Sequence, residues 1–123
     1  MIAPFLIPGP KGGAATKLLT GGRARAILTQ DRLEHIVFRH WATSSAAGAE
    51  KFSPGTTARS LRALIEEAVA GGVALSNTRG RAGSILEYDF GRQIGIDVSG
   101  QAATRLRVVL RPDNTVFTAF PIL

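Results

Sequence analysis

The stretch RLRVVLRPDNTVFTAFPI, Arg105 to Ile122, decides how the chain folds. Leu106, Val108 and Leu110 alternate with Arg105, Arg107 and Arg111, the period of a strand that buries one side and presents guanidinium groups on the other. Arg111-Pro112-Asp113-Asn114 carries tight-turn chemistry, and a second β-branched and aromatic run follows it, so the chain closes on a hairpin. Working back to Val73, the runs VALS, SILEYDFG and IGIDV have the same character and are separated by Gly, Asp and Asn, with Ser99-Gly100 marking a further turn. The second half of the chain is therefore expected to be an antiparallel meander of about four strands.

The first half reads differently. Thr29 is a fair N-cap for a helix starting at Gln30, with Asp31 in its first turn, where a carboxylate suits the helix dipole. Leu33, Ile36, Val37 and Trp41 recur at helical spacing and form its apolar face. Ala42 to Gly55 is rich in Ser, Ala and Gly and reads as a long loop. Thr56 or Thr57 caps a second helix running through Ala70, with Leu61, Leu64, Ile65 and Ala68 as its apolar stripe and Gly71-Gly72 as its stop. Helices first and a sheet last make an α+β domain, with N-terminal helices packed on a C-terminal antiparallel sheet.

Residues 1–22 hold Pro4, Pro8, Pro10 and several glycines without a sustained period, and they read as a linker or wrapping arm ahead of a single domain over 23–123. The apolar patch near Met1 lacks a basic leading region and is too short to span a bilayer, so neither a signal peptide nor a membrane span is expected. Met1, the only methionine, stands before this stretch, which suggests a domain cut from a longer protein. With 123 residues, 45% hydrophobic and 20% charged, the composition is that of a folded domain with a real core. No cysteine is present, which excludes disulfides and thiolate metal sites and agrees with a cytosolic place of action.

The formal charge of +6 comes from 12 arginines against three lysines, Lys11, Lys17 and Lys51. A guanidinium fork matches phosphate geometry better than an ammonium, so the bias favours a polyanionic partner, nucleic acid first. The chemistry-bearing stretch is EHIVFRHW, Glu34 to Trp41, with both histidines and the only tryptophan of the chain. On a helical wheel Arg32, His35 and Arg39 fall together, away from the apolar face, as a basic exposed stripe. His40 lies close to the apolar face but at the helix end, where a side chain can equally be core or line a cleft.

Two imidazoles titrating near neutrality can cleave RNA without a metal. One neutral ring takes the ribose 2′-OH proton, a second acid protonates the leaving 5′-oxygen, and cationic groups stabilise the charged transition state. Arg39 and Lys51 are the candidates for that charge, Lys51 being placed by its neighbour Phe52 as an anchor. Zinc is not expected: helical ligand pairs stand four apart on one face, and His35 and His40 are about 140° apart on the wheel. Arg79 and Arg81 in the loop NTRGRAGS, and Arg105 and Arg107 on their strand, can follow a phosphate backbone or belong to ordinary solvated surface. Thr118 can fill a strand position or bond a phosphate oxygen, and Tyr88 and Asp89 must face opposite ways, so at most one joins a site.

The stretches EHIVFRHW, Lys51-Phe52, ARSLRALIEEAV, EYDFGRQIG and LRVVLRPDNTVFTAFPIL, in this order, resemble the C-terminal toxin domains of bacterial polymorphic and contact-dependent inhibition systems. Within these the chain is similar to ribonucleases of the barnase/EndoU/colicin/RelE-like group. The resemblance covers most of residues 29–123. It implies a site in which His35, Arg39, His40 and Lys51 face Thr118 across a cleft on the sheet. Arg32, Arg79, Arg81, Arg105 and Arg107 are expected to bind the RNA on the ground of their charge and placement. The chain lacks the Gly-His-Ser-type element of the EndoU-like branch, so acid and base are not assigned individually.

An RNA substrate, tRNA or another structured RNA, is expected, and no cofactor, because acid–base cleavage at the ribose needs none. The resemblance adds to this. It also implies a larger secreted carrier upstream, action in the cytoplasm of a target bacterium, and an acidic cognate immunity protein held by complementary charge. Two readings from other classes stand beside this one: a non-catalytic basic module that only binds nucleic acid, and a toxin enzyme acting on another substrate, against which stands the absence of a nucleotide-binding loop.

Overall fold

The second helix starts where its cap chemistry says it must. Thr57 is the N-cap of α2, Ala58–Gly71, its hydroxyl accepting from the Ser60 amide at 3.1 Å while the Ser60 hydroxyl accepts from the Thr57 amide at 2.8 Å. At the other end the Gly72 amide closes on the Ala68 carbonyl at 2.7 Å, and a β-carbon there would stand 2.4 Å from that oxygen and 2.9 Å from the Glu87 carbonyl. Only glycine lets the chain leave α2 so tightly. The first helix, α1, spans Gln30–His40 with Thr29 as N-cap; the Thr29 hydroxyl donates to the Asp31 carboxylate at 2.6 Å rather than capping an amide.

The computed structural model describes residues 26–76 and 83–123. The expected arm over 1–22 and the loop arginines Arg79 and Arg81 lie outside the described residues. Among the described residues there are, besides the helices, seven strands: β1 Lys51–Phe52, β2 Val73–Ser76, β3 Ser84–Asp89, β4 Gly95–Ile96, β5 Ala102–Ala103, β6 Arg105–Leu110 and β7 Val116–Ile122. They form two antiparallel sheets, a four-stranded one in the order β2-β3-β6-β7 and a small one in the order β1-β4-β5. The chain is α+β with helices packed on a sheet, as its pattern predicts.

The closing hairpin is present. Arg111 donates its amide to the Thr115 carbonyl at 2.9 Å, Asn114 adopts φ 69°, and the Asp113 carboxylate accepts from the Thr115 amide. Alternation along β6 is complete, with Leu106, Val108 and Leu110 at most 2% exposed and the residues between them half-buried. Those buried side chains meet Leu61, Ile65 and Ala68 of α2 in one hydrophobic cluster that also takes Leu33 and Ile36 from α1 and Phe52 from β1.

Two expectations need correction. IGIDV is not a strand of the main sheet: only Gly95-Ile96 pairs, and it does so with Lys51-Phe52 and Ala102-Ala103. Asp97 stops it, its Oδ1 accepting from the Ser99 and Gln101 amides in a tight turn. Ala42 to Gly55 is likewise not all loop, since Lys51 and Phe52 form β1; Phe52 is 1% exposed and meets the Trp41 ring edge-on at 6.0 Å.

The face of the main sheet turned away from α2 positions the candidate site. Directly paired residues share a face, and the register gives two rows across the four strands. One row is Val73, Glu87, Arg107, Phe120; the other is Leu75, Ile85, Val109, Thr118. On the other side α2 packs on β3 and β6, while α1 packs on β7.

Candidate active site

His40 ends α1 beside β7. Its Nδ1–H donates to the Glu50 carbonyl at 2.7 Å, because a carbonyl can only accept, and the neutral ring therefore keeps its lone pair on Nε2. The ring lies stacked on Phe120, centroids 5.3 Å apart, and the residue is 5% exposed. Burial pushes the imidazole below its ordinary value of 6.5; the Glu50 carbonyl and carboxylate oppose this, while Arg39 and, least of all, His35 add to it. At neutral pH the ring is an uncharged base.

Through Phe120, His40 is joined to the charged row of the sheet. Phe120 pairs with Arg107, and Arg107 pairs with Glu87. The Glu87 carboxylate, its side chain 10% exposed, accepts from Arg105 Nη2 at 2.7 Å on one oxygen and from Arg107 Nε at 2.8 Å and Nη2 at 2.5 Å on the other. Two guanidinium groups on one carboxylate leave a net positive cluster, with donors of both arginines still unused. Strand spacing puts Glu87 and Phe120 about 10 Å apart with Arg107 between them.

His35 stands on a different phenylalanine, Phe117, at 6.4 Å. The register slips between Val109 and Leu110, which pair with Thr118 and Val116, so Phe117 is the unpaired residue of a bulge. Arg32 lies over its ring at 4.6 Å and Arg111 at 5.4 Å, and Arg32 Nε donates to the Phe117 carbonyl at 2.8 Å. The stripe Arg32, His35, Arg39 is thus not fully solvated: Arg32 and His35 pack on β7, and Arg39 alone of the three is exposed. Burial, then Arg32 and Arg39, push His35 below 6.5 as well.

Lys51 is held on main-chain carbonyls at the end of α1. Its ammonium donates to the Arg39 carbonyl at 3.0 Å and the Ala46 carbonyl at 2.6 Å, so it closes the C-terminus of α1 onto the following loop. It steadies the segment that carries Glu50, and through Glu50 the His40 ring.

Thr118 is on the same face of the sheet as Arg107, 8% exposed, and its hydroxyl is buried with no hydrogen-bond partner among the described residues. An unpaired buried hydroxyl costs about 1–3 kcal/mol. Thr118→Val, nearly the same shape without the polar atom, is expected to raise the free energy of unfolding by about 1 kcal/mol or more, measured by urea titration. A lower urea midpoint would show that the hydroxyl is bonded in solution.

Tyr88 and Asp89 face opposite ways as alternation requires: Tyr88 packs where Gly71 leaves α2, while the Asp89 carboxylate accepts from the Gly91 amide. Burial, then Glu67, push the Tyr88 hydroxyl up from 10.0. Among the described residues no group of three or more His, Cys, Asp or Glu could hold a metal ion, and no helix is long and apolar enough to cross a membrane.

Glu50, Glu87 and Phe120 are the site residues that sequence reading passes over. Glu87 is legible only once its pairing with Arg107 is known, and the Glu50 carbonyl acts through the main chain, which no residue type announces. Compared with known proteins, the chain matches no family model, no curated protein and no solved structure.

Proposed function

We propose that the protein is a metal-independent endoribonuclease, the toxin domain of an interbacterial competition system. The observation that carries this reading is His40: one ring nitrogen is fixed on the Glu50 carbonyl, the other is left as a base, and the ring lies at the end of a row bearing Arg107 and Glu87. His40 Nε2 takes the 2′-OH proton as the 2′-oxygen attacks phosphorus. His35, the less buried ring, returns a proton to the 5′-oxygen as the P–O5′ bond breaks, leaving a 2′,3′-cyclic phosphate and a 5′-hydroxyl.

Arg39, Arg105 and Arg107 supply the positive charge that phosphate binding and the transition state need. Phosphate beside His35 offsets the influence of Arg32 and Arg39, which otherwise disfavours its protonated form. The toxin assignment, a tRNA or other structured RNA as target, an acidic immunity protein, a larger secreted carrier and action in the target cytoplasm all rest on the resemblance described above.

The test is expression of the full chain in bacteria beside His35→Ala and His40→Ala, with total RNA run on a gel. Growth arrest and discrete RNA fragments with the wild type, lost in both variants, are expected; intact RNA with the wild type would remove the reading. A non-catalytic RNA-binding module is the second reading, and the observation in its favour is that His40 is only 5% exposed. It requires His40→Ala to be as toxic as the wild type.

A further inference from the structure

The open sheet face is built as two unlike rows side by side. The row Val73, Glu87, Arg107, Phe120 carries the charge, and the row Leu75, Ile85, Val109, Thr118 is apolar up to its last residue. Rows two residues apart along a strand are separated by about 7 Å. Val73 is 66% and Leu75 44% exposed, so the β2 end of this face presents aliphatic surface that nothing among the described residues covers.

A single nucleic-acid strand has the same two-sided construction, phosphates along one side and flat apolar base faces along the other. A duplex does not: its base faces are consumed in stacking and it offers phosphates alone. We propose that this face takes an unpaired segment of RNA laid across the strands from β2 toward His40, its backbone crossing β6 at the Arg105 and Arg107 cluster and its bases resting on Leu75, Ile85 and Val109. This rests on the reading of the face as an RNA-binding surface, and it specifies what part of a structured RNA is engaged: a loop or an end rather than a stem. The net charge of +6 supplies the long-range attraction, while the apolar row supplies the choice between unpaired and paired strands.

The test uses the full chain and a fluorescent 2′-O-methyl oligoribonucleotide, which lacks the 2′-OH nucleophile and cannot be cut, alone or annealed to its complement. The single strand is expected to bind about tenfold tighter than the duplex at equal salt, and Leu75→Ser to weaken single-strand binding about tenfold with an unchanged salt slope. Arg107→Ala is expected instead to reduce the salt slope by about one. Circular dichroism of both variants establishes that they are folded.

Equal or tighter duplex binding, or a Leu75→Ser variant that binds like the wild type, would overturn the proposal. So would polyglutamate competing as well as RNA, which makes the face an acidic-protein surface, or self-association abolished by Leu75→Ser, which makes it a contact between copies. The nuclease reading fails separately: a protein that prefers the single strand yet leaves ordinary RNA uncut retains this inference and loses the catalytic one. A protein that cuts paired and unpaired RNA alike does the reverse.

Discussion

His40→Ala is expected to slow RNA cleavage by about 10² to 10⁴-fold, the usual contribution of a positioned acid or base. The ring is fixed by its Nδ1–H on the Glu50 carbonyl and by its stack on Phe120, so its orientation is held without substrate. Alanine removes the packing as well as the base, and His40→Asn separates the two. Its amide can still donate to the Glu50 carbonyl but cannot accept a proton at neutral pH, so it should remain folded and be as slow as the alanine variant. Because burial pushes the His40 value down, the acidic limb of the kcat/KM profile is expected below the ordinary imidazole value of 6.5. Cleavage by His40→Asn within a few-fold of the wild type would exclude His40 as the base.

The second large effect is on stability. Phe52→Ala is expected to lower the free energy of unfolding by about 3–5 kcal/mol, as for other buried aromatic truncations, out of a total that is typically about 5–15 kcal/mol. Phe52 is 1% exposed, belongs to the core cluster and meets Trp41 at the end of α1. The same short strand carries Lys51, whose ammonium ties the Arg39 and Ala46 carbonyls, and follows Glu50, which orients His40. Loss of the ring should therefore loosen His40 while the remaining fold persists, and cleavage should fall by more than the unfolded fraction explains. Urea unfolding followed by fluorescence, beside cleavage rates below the unfolding transition, measures both. A loss under about 1 kcal/mol would mean that the site collapses to fill the cavity.

Much of this fold is written in local chemistry. The Thr57 capping box, the Gly72 stop and the Arg111 to Asn114 turn can each be read from a few adjacent residues, because each is satisfied by groups within a few positions. The strict alternation of Leu106, Val108 and Leu110 then sets which face of the sheet meets α2. What cannot be read is pairing between distant residues. IGIDV has strand composition, yet the Asp97 turn ends it and its partner is Lys51-Phe52, more than 40 positions away.

The candidate site divides in the same way. His35 and His40 stand out as residue types, but which phenylalanine each touches depends on the bulge at Phe117, set by a one-residue slip between β6 and β7. Lys51 looks like a phosphate ligand because its charge is visible in the sequence, while the two carbonyls that occupy it are not. Glu87 reads as an ordinary strand carboxylate until the register sets it against Arg107.

The most direct test of the account is the chemistry of the cut ends. Purified full chain incubated with total RNA in EDTA is predicted to leave 2′,3′-cyclic phosphate and 5′-hydroxyl ends, as the proposed metal-free attack of a ribose 2′-oxygen activated by His40 Nε2 requires. Ends carrying a 5′-phosphate, or cleavage abolished by EDTA, would contradict it.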